Sequence, residues 1–128
     1  MNGHSVQAVR WNYLVERGPD WLFVGLRSGD GETRPQEELA GDIWSLMDRH
    51  LVNRVVLELD EVEQLNSTLL GQLVLLHKRV HANGGIMRLS GLRQDSQQVL
   101  RMFQLEDRFP RYVLRCDAVR GTLPSKPR

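Results

Sequence analysis

The feature that most constrains the fold is the apolar run Val55, Val56, Leu57 and Leu59, interrupted only by Glu58. Successive side chains of a strand point to opposite faces, so apolar residues on both faces require cover on both, as in a parallel sheet. Parallel neighbours need a long crossover connection, and the next thirty residues supply one. Asn66, Ser67 and Thr68 carry short polar side chains that can accept a hydrogen bond from the free N–H groups of a first helical turn. From there Leu69, Leu73, Leu76 and Val80 recur at helical spacing, Leu70 and Val74 widen the stripe, and Asn83-Gly84-Gly85 ends it. Ile86, Met87 and Leu89 form a further strand, expected to lie parallel to residues 55–59 through a right-handed crossover over a helix at 67–82. Ser67 and Thr68 thus stand at the mouth of a helix just beyond a buried strand. Partial positive charge and spare N–H donors there tolerate a phosphate on a nearby hydroxyl, although capping alone is the usual work of such residues.

Upstream, the alternating series from Arg10 to Val15, the turn chemistry of Gly18-Pro19-Asp20 and the run Trp21–Leu26 predict a hairpin in which Trp11 and Trp21 pack. Ser28-Gly29-Asp30-Gly31-Glu32 is expected to be a loop, since it lacks both the Lys of a phosphate loop and the regular oxygen spacing of a calcium loop. Pro35 is suited to opening a helix with Glu37 and Glu38 in its first turn, striped by Leu39, Ile43, Leu46 and Met47 and ended by Asn53. Downstream, Asp95 or Ser96 is expected to cap a third helix with Val99, Leu100 and Phe103 facing inward, and Tyr112-Val113-Leu114 to form a last short strand after Pro110. Together these elements predict an α/β fold with a mixed four- to five-stranded sheet and three or four helices, in one domain over residues 1–120 with an unfolded tail at 121–128.

Composition excludes several classes. A hydrophobic share of 41% beside 26% charged residues is that of a soluble globular domain, and no apolar run approaches a membrane span or the core of an export signal, so a cytoplasmic protein is expected. Cys116 is the single cysteine, which rules out an internal disulfide and a Cys-based metal site. Residues 1–64 hold 6 Arg/Lys against 12 Asp/Glu and residues 65–128 hold 11 against 4, so the halves stand at −6 and +7. The basic residues are dispersed without a stacking-aromatic motif, and no direct nucleic-acid binding is expected. His77 and His81 have the four-residue spacing of a metal pair, but no third ligand follows from the pattern and Lys78 and Arg79 lie between them, so both are expected at the surface. Glu58, Asp60, Glu61 and Glu63 form an acidic rim before Ser67, with no nucleophile–base pair beside it, so neither enzymatic activity nor a cofactor is expected.

The central segment resembles the STAS domain family, the anti-sigma-factor antagonists, in which a strand ending in Asp leads through a short loop to Asp-Ser-Ser/Thr-Gly-Leu-Gly at a helix start. Here Asn66-Ser67-Thr68-Leu69-Leu70-Gly71 occupies that motif and Asp60 matches the acidic residue that closes the strand. Residues 84–91 and 99–109 are similar to the family's next strand and to its helix ending at a Leu-Asp pair. Two positions depart from the pattern, Asn66 for the usual Asp and Leu69 for the first Gly, the latter also replaced in stressosome-type members. The resemblance implies that Ser67 is the phospho-acceptor, that Thr68 turns toward the helix, and that Asp60, Asn66, Thr68, Leu69, Leu70 and Gly71 form the switch loop and partner contact. It implies an anti-sigma factor acting as a serine kinase, or a related ATP-binding regulator, as the partner released on phosphorylation. Two other readings fit the same residues: an unphosphorylated scaffold or subunit of a stressosome-type or lipid-transport complex, and a nucleotide-binding α/β protein. The oligomeric state is left open.

Overall fold

The computed structural model describes residues 9–28 and 32–121. β1 (Arg10–Arg17) and β2 (Leu22–Arg27) form the expected antiparallel hairpin, closed by a 2.8 Å bond from Gly18 N–H to the Trp21 carbonyl. A two-residue strand β3 (Arg34–Pro35) flanks β1, and a 3-10 turn over Gln36–Glu38 leads into α1 (Leu39–Arg49). Pro35 therefore ends a strand before the turn, in extended conformation, and the regular helix begins four residues later than its position suggested.

β4 (Arg54–Glu58) is the sheet's pivot. It pairs in parallel with β2 on one side and with β5 (Ile86–Ser90) on the other, giving the order β3-β1-β2-β4-β5. α2 (Ser67–Ala82) makes the crossover between β4 and β5, and the two strands run parallel in one sheet with Val55 beside Met87 and Leu57 beside Leu89. The apolar run of β4 divides between two cores. Val55 and Leu57, with Leu59 just beyond, face α1 and α2, where Ile43, Met47, Leu69, Leu73 and Leu76 are buried against them. Val56 faces the other way, into a smaller cluster with Trp21, Tyr112 and Ala118. Each such fully buried aliphatic side chain stabilises the fold by about 1.5–3 kcal/mol.

The C-terminal third departs from expectation. α3 (Gln94–Met102) starts after Arg93, so neither Asp95 nor Ser96 caps it; both lie in its first turn, with Ser96 buried. Leu100 faces inward as expected, but Phe103 lies beyond the helix end and is 58% exposed. Tyr112 makes a single parallel bridge to Ser90 rather than opening a strand, because Val113 and Leu114 are exposed and the chain turns into α4 (Arg115–Arg120). α4 covers the second face of the sheet. Arg88 holds it there, donating from Nη1 to the carbonyls of Ala118 (2.8 Å) and Val119 (3.3 Å). Most of the expected glycine-rich loop, Gly29–Gly31, and the expected tail beyond Gly121 lie outside the described residues.

Candidate functional site

The loop from Leu59 to Asn66 carries the chain from the C-terminal end of β4 to α2, and it is pinned at several points. Leu59 N–H donates to the Ser90 carbonyl (2.8 Å), Val62 N–H donates to the Leu59 carbonyl (3.0 Å), and the side chains of Val62 and Leu65 are buried. Asp60 lies directly over Gly91, where any side chain would occupy the space of its carboxylate, and its carbonyl accepts from Arg93 Nη2 at 3.4 Å. Alternation of buried anchors with exposed polar residues leaves Asp60, Glu61, Glu63 and Gln64 facing solvent. Glu61 pairs with Arg27 at 2.8 Å, but both side chains are about half exposed and the pair contributes little.

Glu58 leaves the acidic rim. Arg115 donates to both of its carboxylate oxygens at 2.7 Å, to both of Glu16 at 3.0 and 3.2 Å, and lies 4.3 Å over the Phe23 ring. These hydrogen bonds raise the Arg115 pKa further and hold the Glu16 carboxyl below its ordinary range. The arrangement is a clamp between α4, β1 and β4, with no sequence signal at separations of 57 and 99 residues.

At the helix start the three polar residues take different roles. Asn66 is the cap: in extended conformation, its Oδ1 accepts from Leu69 N–H at 2.8 Å. The same amide is paired with Gln36, whose Nε2 donates to Asn66 Oδ1 at 3.1 Å while Asn66 Nδ2 donates to Gln36 Oε1 at 3.2 Å. Gln36 is buried, so the 3-10 turn before α1 and the start of α2 are tied together by an amide pair with no charge. Gln72 adds a second tie, its Oε1 accepting from Ala40 N–H at 2.9 Å.

Ser67 and Thr68 are both exposed; Thr68 is not turned away from solvent. As the first two residues of α2, their N–H groups have no acceptor within the helix. Leu69 and Leu70 are buried, Leu69 completely, so the residue replacing the family's glycine sends its side chain into the core and does not project beside Ser67. Gly71 is exposed with open space around its Cα. Ser67, Gly71, Leu75 and Lys78 fall on one exposed face of α2, with Leu75 55% exposed.

Further along α2, His81 is at the surface as expected, but His77 is half-buried, its ring edge-on to Phe109 at 5.1 Å. Among the described residues no three His, Cys, Asp or Glu side chains are grouped to hold a metal ion. No helix among them is long and apolar enough to cross a membrane.

A family model for the STAS domain matches residues 14–118, from the hairpin into α4. The chain belongs to the STAS domain family. Among solved structures, this STAS domain is similar to an anti-sigma factor antagonist from Mycobacterium paratuberculosis, with 21% identity, 87% of this chain and 92% of that one covered, and a TM-score of 0.69. It is also similar to the S58E form of RsbS from Moorella thermoacetica, with 11% identity, 85% and 92% coverage and a TM-score of 0.69. The phosphorylated form of the Bacillus cell fate determinant SpoIIAA matches at 12% identity, 86% and 98% coverage and a TM-score of 0.62. Identities this low establish a shared fold. No curated protein matches the sequence.

Proposed function

We propose that this STAS domain is an anti-sigma-factor antagonist that switches partners, with Ser67 as its phospho-acceptor. The observation that carries the reading is the division of roles at the start of α2. Asn66 performs the capping, so the Ser67 hydroxyl is exposed and has no part in the cap. Similarity to an anti-sigma factor antagonist and to a SpoIIAA solved in phosphorylated form supports the same reading.

Unphosphorylated, the domain would present Asp60, Ser67, Thr68 and Gly71 to an anti-sigma factor of the serine-kinase type or a related ATP-binding regulator, in the cytoplasm where such partners work. Leu75 extends that face by two turns, while Asn66 caps the helix and the buried Leu69 and Leu70 anchor it in the core. A phosphate on Ser67 brings about −1.5 to −2 charges into the contact, and the bound state then suffers repulsion and desolvation. Exposed Asp60 and Glu63 in the preceding loop add to the repulsion. The free state would bear the charge easily, because Ser67 is the first residue of α2, where partial positive charge and free N–H groups favour an anion.

Phosphopeptide mass spectrometry of the protein from its native cells tests the assignment. Phosphate is expected on Ser67 and not on Thr68. A chain that stays unmodified in growth and under stress would instead be the scaffold type of STAS domain.

A further inference from the structure

We propose that the C-terminal half of α2, together with the segment that follows α3, forms a binding site for a small phosphate-bearing molecule, separate from Ser67. A surface cavity of about 540 Å³ lies between these elements, lined by His77, Lys78, His81, Gln104 and Arg108 among others. A second, of about 320 Å³, shares His77, His81 and Arg108 and extends the concave surface toward Arg88 and Tyr112. Asp107 is the one acidic residue among the described residues lining either cavity.

The two concavities carry more positive than negative charge, Lys78, Arg88 and Arg108 against Asp107. Arg27, Arg34, Arg101 and Arg115 each have a carboxylate partner within 3.2 Å. Lys78 and Arg108 have none among the described residues, although both border the same concavity. Two imidazoles complete the wall. The rings of His77 and His81 are parallel to within 6° at 6.1 Å, and His77 packs edge-on against Phe109, so both imidazoles border the same concavity. Nδ1 of His77 is shielded from solvent without a hydrogen-bond partner among the described residues.

Arg offers a planar fork that suits a phosphoryl group, and Lys a compact charge. A dianion neutralises both at once, which a monocarboxylate does not. His77 and His81 lie about 15 and 21 Å along the helix axis from Ser67, at 1.5 Å per residue, so this site and the helix mouth are distinct.

Inorganic pyrophosphate is the probe, titrated at constant ionic strength into the full-length ¹⁵N-labelled chain and followed by NMR. Saturable shifts are expected at His77, Lys78, His81 and Arg108. Arg108→Gln and Lys78→Gln should each weaken binding about tenfold, the loss of one charge-assisted hydrogen bond. Arg120→Gln, removing an exposed arginine of α4, should leave affinity unchanged, as should Ser67→Ala. Lys78 is exposed and unpaired, so its variant serves even if Arg108→Gln does not fold. Shifts that never saturate, or equal weakening by Arg120→Gln, would overturn the proposal in favour of diffuse charge attraction.

Discussion

Asn66 and Gln36, thirty residues apart in sequence, meet amide to amide, each donating one hydrogen bond and accepting one, at 3.1 and 3.2 Å. A carboxylate at position 66 could still cap α2 but could not donate to Gln36 Oε1. The departure from the family's Asp is therefore matched by the residue that faces it. Asn66→Asp should cost about 1 kcal/mol, one net hydrogen bond partly offset by a charge favourable to the helix dipole. Asn66→Ala, which also loses the cap, should cost about 2 kcal/mol. Urea unfolding of both variants checks the order. Equal stability of wild type and Asn66→Ala would show that the cap and the amide pair contribute nothing.

Two glycines at opposite ends of α2 should respond to alanine with opposite signs. A Cβ at Gly85 would collide with the Asn53 carbonyl, whose oxygen accepts from Ile86 N–H at 3.0 Å where β5 begins. Gly85→Ala should therefore cost more than about 2 kcal/mol, since backbone must move to admit it. Gly71 has open space and a helix-interior position, so Gly71→Ala should gain about 1 kcal/mol. Melting temperatures that fall for Gly71→Ala, or hold for Gly85→Ala, would contradict these packing assignments.

The half-buried His77 makes stability depend on pH. Burial first, then the charges of Arg108 and His81, hold its imidazole below the ordinary 6.5. Below that ordinary value the unfolded chain binds a proton that the folded one resists, so stability should decline as the pH falls from neutrality through this range. His77→Gln should flatten that decline. Chemical denaturation of wild type and variant at several pH values between neutral and mildly acidic measures it; parallel curves would mean that His77 is as solvated in the fold as in the unfolded chain.

The central unit β4-α2-β5 was legible because its signals are local. The apolar run, the polar residues at the helix mouth, the leucine stripe and the closing glycines all lie within the 31 residues from Val55 to Gly85. Among the three capping candidates the structure gives the role to Asn66, and it half-buries His77 against Phe109 and leaves Thr68 exposed, which no local signal shows. The last third is less legible because its geometry depends on partners far away in sequence. Val113 and Leu114 have a strand-like composition, yet Arg115 is drawn to Glu58 and Glu16, and Arg88 holds the carbonyls at the end of α4, so the chain bends at these two residues and enters a helix. Phe103 fits the inward stripe of α3 by spacing, but the helix stops at Met102 and the next residue but one, Gln104, takes a φ of 58°. Within the site, Asp60 and the 66–71 motif were visible from sequence, whereas Gln36 and the clamp that removes Glu58 from the acidic rim required the fold.

As proposed, Ser67 is a switch set on a helix that does not need its hydroxyl. The most direct test is the affinity of wild type, Ser67→Ala and Ser67→Asp for the cognate anti-sigma factor, by calorimetry, alongside the three melting temperatures. Wild type and Ser67→Ala should bind alike, Ser67→Asp at least about tenfold more weakly, a difference of about 1.4 kcal/mol, with all three melting within a few degrees. Equal affinities in all three proteins, or a large loss of stability in Ser67→Asp, would contradict it.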